Sequence, residues 1–204
     1  MMPRRIVFAG SSSLHGHGDS EMGGFVHRFR LWHEAQGARH FVYELGIFGE
    51  PTASLLSRLE PEARVRKPHL IVLYPGFNDL RREGGPERHC ATSLEEYEHV
   101  MRALIATAKS VSDVMIMTGF PFDPARTMPY ASSESFYLPD DARAYTQVLR
   151  KVCADLSVPV LDYFSLWTSL QTQELLDADG LHANPAGHAV LFEQLREFLL
   201  AQYG

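Results

Sequence analysis

The sequence predicts one α/β domain with a mainly parallel, five-stranded sheet and helices on both of its faces. Short apolar runs typical of strands alternate with longer segments whose apolar residues recur at helical spacing. The run 69–74 is apolar almost throughout, as expected for a parallel strand that is buried on both faces. The chain has 204 residues, enough for one well-packed core and too few for two, so residues 1–204 are assigned to a single domain.

Strands and helices follow each other in alternation along the chain. The predicted strands are Ile6–Ala9, His40–Leu45, His69–Tyr74, Val114–Met117 and Val158–Leu161. The predicted helices are Gly24–Ala35, Thr52–Arg66, a segment from Ser93 to about Lys109, a segment through Tyr145 and Val152, and a last segment from about Pro185.

Several residues indicate where these helices begin. Ser93 is predicted as an N-cap, and Glu96 three residues later would complete a capping box. Asp140 or Asp141 is the predicted cap of the fourth helix. Pro185 suits the first turn of the last helix, where its missing N–H has no cost.

A long connection, residues 118–139, separates the fourth strand from the next helix. It is rich in proline and aromatic residues, and a connection of this length is often functional. Two interpretations stay open: it walls or covers a substrate pocket, or it is an ordered surface excursion with its own small cluster.

Charge and hydropathy exclude several classes of protein. The net charge of -6 argues against a nucleic-acid partner, which needs clustered Lys and Arg. No apolar run is long enough to cross a bilayer. The basic start is followed by an apolar run that stops at Gly10, too early for a signal peptide, so a cytoplasmic protein is expected. The oligomeric state cannot be assigned from the sequence.

The chain carries no pattern for a metal or a cofactor. No Walker-type loop and no G-x-G-x-x-G follows the first strand, so no cofactor is expected. His15 and His17 form an H-x-H pair without a matched third ligand, and they are interpreted as loop residues rather than a metal site. Cys90 and Cys153 do not form a disulfide framework, and Cys153 is interpreted as a core residue. His188, on the last helix, is interpreted as a surface or packing residue.

Three short motifs follow three of the predicted strands, and a fourth precedes the last helix. They are Gly10-Ser11-Ser12, Gly46-Ile47-Phe48-Gly49, Gly76-Phe77-Asn78-Asp79 and Asp179-Gly180-Leu181-His182. Ligands of open α/β sheets bind beyond the carboxyl ends of the strands, so these motifs are expected to converge at one site.

The four motifs supply the groups that acyl transfer requires. Ser12 is the candidate nucleophile, His182 its base and Asp179 the acid that orients the imidazole. Ser12 and Gly49, through backbone N–H groups, and Asn78, through its side chain, are candidate oxyanion donors. Taken singly, each motif also has a simple structural interpretation as a turn or a helix cap.

Together and in this order, the four motifs resemble those of the SGNH hydrolases, also called GDSL-type esterases and lipases. The resemblance spans the chain from Gly10 to His182. It implies a flavodoxin-like three-layer α/β/α sandwich. It also implies that Ser12, Gly49, Asn78 and His182 are the four residues of the family name, with Asp179 as the third member of the triad.

The first motif departs from the family's usual Gly-Asp-Ser-Leu, because Ser11 stands where the acidic residue is expected. Gly16 matches the family's next glycine and supports the alignment on Ser12. A literal Gly18-Asp19-Ser20 follows shortly afterwards. It does not follow a strand, so Ser12 rather than Ser20 is predicted as the nucleophile.

The predicted function is therefore that of a serine esterase, which hydrolyses small-molecule carboxylic esters (lipid acyl, aryl or acetyl) through an acyl-enzyme without metal or cofactor. A carbohydrate acetylesterase and an acyltransferase are alternatives on the same site. A non-catalytic binding protein on the same fold is an alternative of another class. A flavin-binding or response-regulator protein is disfavoured, because residues 10–16 contain neither an acidic cluster nor a phosphate-binding loop.

Overall fold

The computed structural model describes residues 2–131, 133–170 and 172–204, and its centre is a parallel sheet of five strands. These strands are β1 (Arg5–Gly10), β2 (Phe41–Gly46), β3 (Leu70–Tyr74), β5 (Asp113–Met117) and β7 (Val160–Leu161). Two further short strands, β4 (Arg82–Glu83) and β6 (Ser135–Phe136), form a separate antiparallel pair. The predicted five strands are confirmed in number and order.

The order of strands in the main sheet is β2-β1-β3-β5-β7, and all four pairings are parallel. This is the flavodoxin-like order, in which the winding direction reverses between β1 and β3. Loops that leave the carboxyl ends of these two strands diverge there and open a crevice. The topology therefore places the ends of β1 and β3 where a ligand site is expected.

Helices cover both faces of the sheet. The helices are α1 (Phe25–Glu34), α2 (Thr52–Arg64), α3 (Leu94–Lys109), α4 (Pro124–Thr127), α5 (Pro139–Asp155), α6 (Tyr163–Thr168) and α7 (Pro185–Tyr203), with two 3-10 turns at Asn78–Leu80 and Thr172–Leu175. Helices α2, α3 and α5 pack on one face, and α1, α6 and α7 on the other. The result is the predicted three-layer sandwich.

The side chains of β1 alternate between two separate cores. Val7 and Ala9 pack with the α2, α3 and α5 side, whereas Ile6 and Phe8 pack with the α1 and α7 side. All four are fully buried. Successive side chains of a strand point to opposite faces, so an unbroken apolar run supplies both cores at once.

Two of the predicted boundaries are wrong, and proline explains the first. Helix α5 begins at Pro139 with Leu138 as its N-cap, so neither Asp140 nor Asp141 is the cap. Proline at the first helical position fixes the start, and both carboxylates fall in the first turn, where the helix dipole favours them. The last strand is limited to β7, the part that pairs with β5, and does not begin at Val158.

The long connection 118–139 contains α4 and β6 rather than irregular chain alone. Phe120 and Tyr137, near its two ends, are both buried. Ser93 caps α3 as predicted, since its hydroxyl accepts a hydrogen bond from Glu96 N–H (3.2 Å). Among the described residues, no helix is long and apolar enough to cross a membrane.

Candidate active site

The turn after β1 holds Ser12 at the carboxyl edge of the sheet. At Gly10 the backbone of β1 runs so close to β3 that a Cβ would lie 1.9 Å from the Tyr74 carbonyl oxygen. Only glycine fits there, which explains the first residue of the motif. Ser12 follows in the turn, with 7% of its surface exposed.

Three side chains form a continuous line of hydrogen bonds. Ser12 Oγ lies 2.8 Å from His182 Nε2, and His182 Nδ1 lies 2.6 Å from Asp179 Oδ2. A carboxylate only accepts, so Nδ1 carries the ring proton and Nε2 is free to accept from the Ser12 hydroxyl. His182 is as buried as Ser12. The structure thus brings together three residues that are up to 170 positions apart in the chain.

Asp179 is held as a carboxylate by its donors. Burial alone would raise its pKa, but the His182 ring and the backbone N–H groups of His182 and Leu181 lower it well below its ordinary value. Those two N–H groups lie 3.0 and 2.9 Å from Oδ1. The Tyr130 hydroxyl, from the long connection, donates to Oδ2 at 3.0 Å. The Asp179 charge is therefore available to stabilise a protonated His182 ring.

Asn78 begins the 3-10 turn after β3, and its side chain lines the same cavity as Ser12. One proton of its amide is used by the Glu50 carbonyl oxygen, 3.1 Å from Nδ2. An amide nitrogen carries two protons, so the second remains for a ligand. The bond to Glu50 fixes the orientation of the Asn78 side chain.

The backbone N–H groups of Ser12 and Gly49 also have no acceptor among the described residues. Gly49 has a φ of 67°, in the left-handed region where glycine is favoured. Gly49 itself is not among the described residues that line the cavity, although its neighbour Glu50 holds Asn78. Of the three predicted oxyanion donors, Ser12 and Asn78 lie at the cavity wall.

Asp79 is a residue whose importance the short motif did not reveal. It is buried and accepts hydrogen bonds from Thr52 N–H (3.0 Å), the Thr52 hydroxyl (2.5 Å) and the Thr92 hydroxyl (2.9 Å). Thr52 begins α2, so the carboxylate also sits at a helix N-terminus. Asp79 thereby fastens the loop that carries Asn78.

The cavity over Ser12 is small, with a volume of about 20 Å³, and aromatic rings form part of its lining. Those lining side chains include Phe77, Phe120 and Tyr137, together with Leu181. Phe120 and Tyr137 come from the long connection, which therefore forms a wall of the pocket. This is the first of the two interpretations given above for residues 118–139.

His17 lies directly against the candidate triad. Its ring meets His182 edge-on, with centroids 4.3 Å apart, and its Nε2 is 3.7 Å from Asp179 Oδ2. Burial lowers the pKa of His17, and the neighbouring His182 lowers it further. The ligand atoms of these three residues lie within 4.8 Å of one another. Both ring nitrogens of His182 are already engaged by Ser12 and Asp179, so the arrangement fits a hydrogen-bonded triad better than a metal site.

Asp19 and His188 have structural roles near the site. The Asp19 carboxylate accepts from the N–H groups of Met22 and Gly24 and pairs with Arg28, so it orders the loop before α1. Ser20 is exposed. His188 is fully buried, accepts from Phe25 N–H (3.1 Å) and donates to the His17 carbonyl oxygen (2.9 Å). His188 is therefore a packing residue, which was one of the two interpretations made from the sequence, and not a surface residue.

Comparison with known proteins identifies related sequences. Residues 8–190 match the model of the GDSL-like lipase/acylhydrolase family. A GDSL esterase/lipase of Arabidopsis thaliana is 26% identical over 153 residues, which are 69% of this chain and 63% of that protein. The GDSL esterase/lipase WDL1 of Oryza sativa subsp. japonica is 24% identical over 157 residues, 71% of this chain and 58% of that protein. The chain thus spans about six-tenths of the length of these two relatives.

Solved structures share the fold over nearly the whole chain. A lipase/acylhydrolase from Enterococcus faecalis superposes with a TM-score of 0.77 at 24% identity and covers 96% of this chain and 95% of its own. The psychrotrophic esterase EstA from Pseudoalteromonas sp. superposes with a TM-score of 0.73 at 15% identity and covers 98% of both chains. These likenesses establish the flavodoxin-like α/β/α fold.

Proposed function

The chain belongs to the GDSL-like lipase/acylhydrolase family, and from this premise we propose that it is a serine esterase that hydrolyses small carboxylic esters. Ser12 is the nucleophile, His182 the general base and acid, and Asp179 the residue that orients and stabilises the imidazole. The observation that carries the proposal is the unbroken line of hydrogen bonds from Ser12 through His182 to Asp179 (2.8 and 2.6 Å) at a cavity wall.

In the first half of the reaction, Ser12 Oγ attacks the carbonyl carbon of the ester. Its proton passes to His182 Nε2, and the carbonyl π electrons move to the oxygen, which becomes an oxyanion. Collapse of this intermediate breaks the bond to the leaving oxygen, which takes the proton from Nε2 and departs as the alcohol. The acyl group remains on Ser12 as an ester.

In the second half, water replaces the alcohol. His182 accepts a proton from the attacking water and a second tetrahedral intermediate forms. The bond from the acyl carbon to Ser12 Oγ then breaks, Ser12 Oγ takes the proton back from His182 Nε2, and the carboxylic acid is the product. The oxyanion of both intermediates is held by the N–H groups of Ser12 and Gly49 and by the Asn78 amide. Each such donor is worth roughly 3 kcal/mol of transition-state stabilisation.

The pairing of hydroxyl, imidazole and carboxylate also separates an enzyme from a binding protein on the same fold. A binding protein gains nothing from an acceptor nitrogen aimed at a serine hydroxyl, nor from a carboxylate kept ionised behind that imidazole. Asp179 is kept ionised by four donors. An activated nucleophile is the simplest use for this set.

Labelling with a fluorophosphonate and peptide mass mapping is the first test, because it needs no knowledge of the substrate. We expect stoichiometric modification at Ser12 that is lost in His182→Ala. Ser20→Ala is the matched control, since Ser20 is exposed in the same loop and its loss should leave labelling unchanged. Modification at Ser20, or none at all in folded protein, would refute the assignment.

Substitution of the nucleophile or the base tests the same proposal with substrate. Ser12→Ala and His182→Ala should each lower kcat on a p-nitrophenyl ester by roughly three orders of magnitude or more. Steady-state kinetics measures kcat for both variants, with Ser20→Ala as the control. Near-normal turnover in either variant would contradict the proposed roles.

Water and alcohol compete for the acyl-enzyme, which decides between a hydrolase and an acyltransferase. We propose that water is the acceptor. Turnover of p-nitrophenyl acetate with added small alcohols should then give mainly acetic acid. If acetylated alcohol dominates at alcohol concentrations far below that of water, the protein is instead an acyltransferase.

A further inference from the structure

A second cavity is lined by residues that contact Phe77, which itself lines the cavity at Ser12. Its volume of about 230 Å³ is more than ten times the 20 Å³ of the cavity over the serine. Five apolar residues form most of its lining: Pro121, Phe122, Pro139, Ala142 and Phe164. This lining suits a hydrocarbon chain, which gains free energy for each methylene removed from water.

Phe77 belongs to the cavity over Ser12 and contacts two residues that line the second cavity. It lines the cavity over Ser12, and its ring meets Phe122 and Phe164 of the second cavity edge-on, with centroids 5.7 and 6.3 Å away. The opposite support is Gly119, where a Cβ would lie 2.4 Å from the tip of the Phe77 ring. The Phe77 ring is therefore held in place by packing contacts on both sides.

We propose that Phe77 limits the length of the acyl chain by separating the cavity over Ser12 from the second cavity, so that a longer hydrocarbon chain enters the second cavity only when the Phe77 ring is removed. With Phe77 in place, the small cavity over Ser12 selects esters of short acids. This inference rests on the proposed esterase function and extends it to the substrate class.

The surroundings of His182 indicate which half of the ester faces Phe77. The leaving oxygen must lie near His182 Nε2, and the oxyanion near Asn78. The His17 ring lies against His182, with centroids 4.3 Å apart, and the Phe48 ring lies against His17, with centroids 5.3 Å apart. Phe48 is 52% exposed, so the alcohol departs toward this open side. The remaining substituent of the carbonyl carbon is the acyl chain, on the side of Phe77.

The test compares kcat/KM for p-nitrophenyl acetate, butanoate, octanoate and decanoate. We expect wild-type protein to favour acetate and butanoate. In Phe77→Ala the ratio of octanoate to acetate kcat/KM should rise at least about tenfold, because each methylene in an apolar pocket is worth that order of discrimination. Phe77→Leu, which keeps more volume, should give a smaller rise and serves if the alanine variant does not fold.

A blocking variant checks that the gain comes from the second cavity. Thr168 is exposed at the end of α6 and lines that cavity. Adding Thr168→Phe to Phe77→Ala should return the octanoate ratio toward the wild-type value. Ser57→Phe is the matched control on α2, away from both cavities, and should leave the Phe77→Ala profile unchanged.

Three outcomes would overturn the inference. The octanoate ratio stays constant in both Phe77 variants, the gain survives Thr168→Phe, or the gain appears with octyl acetate, whose long chain is in the alcohol, instead of with octanoate. Failure of the esterase function itself would look different, because then wild-type protein would hydrolyse none of these esters faster than Ser12→Ala.

Discussion

Two aspartates stand at two neighbouring loops of the site, and they differ in what their partners can do. Asp79 is buried and accepts from Thr52 and Thr92, whose groups hold elements of the fold together. Asp179 is partly exposed and accepts from the His182 ring, which continues to Ser12. The donors to Asp79 are a backbone amide and two hydroxyl groups, which keep their protons. One donor to Asp179 is the His182 ring, which can exchange a proton with Ser12.

The difference teaches that burial and hydrogen bonding alone do not identify a catalytic carboxylate. By burial Asp79 is the more extreme of the two residues. What distinguishes Asp179 is a titratable neighbour that is itself aimed at a nucleophile in a cavity. Substitutions at the two positions should therefore separate loss of turnover from loss of stability.

The largest expected effect is on turnover in Asp179→Asn. The Asn amide would face His182 Nδ1 with N–H donors, which favours the tautomer that carries its proton on Nε2 and cannot accept one from Ser12. We expect kcat to fall by roughly three to four orders of magnitude. Asp177→Asn is the matched control, because the Asp177 side chain makes no hydrogen bond to any described residue. A loss of less than tenfold would remove Asp179 from the mechanism.

The next effect is on stability in Asp79→Asn. An amide nitrogen in place of Oδ2 would confront the Thr52 N–H, and a buried donor without an acceptor costs about 1–3 kcal/mol. We expect the free energy of unfolding to fall by about 2–3 kcal/mol, while kcat of the folded variant stays within about tenfold of wild type. Urea unfolding and kinetics measure the two quantities, with exposed Asp113→Asn as control. If the variant instead keeps full stability and loses turnover, Asp79 is needed for catalysis and does not differ from Asp179 in role.

The fold was predictable because its signals are local. A strand that is buried on both faces is a continuous apolar run, and β1 and β3 both have this form. Ser12, Gly49 and Asn78 were predicted from their positions after three strands, since parallel strands end at one edge of the sheet, whereas Asp179 and His182 belong to the motif before the last helix. The roles assigned to Ser12, Asp179 and His182 stay predictions until labelling and kinetics test them.

What sequence could not supply are contacts between distant segments. Nothing in the order of residues joins Tyr130 to Asp179, 49 positions away, or brings His17 against His182. The position of the Phe77 ring depends on a glycine, Gly119, in the loop after β5. Such neighbours are set by the packing of the layers and become visible only in three dimensions.

A smaller effect is expected on the stability of the protein in acid, and it arises from the Asp179 carboxylate. Its pKa is lower in the folded protein than the ordinary value of 3.8, so its contribution to stability is present above that value and is lost as the pH falls through the folded pKa. The difference in unfolding free energy between wild type and Asp179→Asn should therefore shrink on acidification. The slope is at most about 1.4 kcal/mol per pH unit for one proton. Unfolding curves between pH 6 and 3 measure it, and parallel curves would contradict the shift.

The smallest expected effect is on turnover in Tyr130→Phe, which removes one hydrogen bond to Asp179. Tyr130→Phe removes one of four donors to Asp179 and leaves the ring wall intact, so the carboxylate and its bond to His182 remain. A hydrogen bond to a charged group is worth about 1.5–3 kcal/mol where water cannot replace it, and Asp179 is partly exposed to water. We expect kcat to fall only about threefold to tenfold, against no change in the control Tyr43→Phe on β2. A loss as large as that of Asp179→Asn would mean that Tyr130, from the long connection, is needed to hold the triad in place.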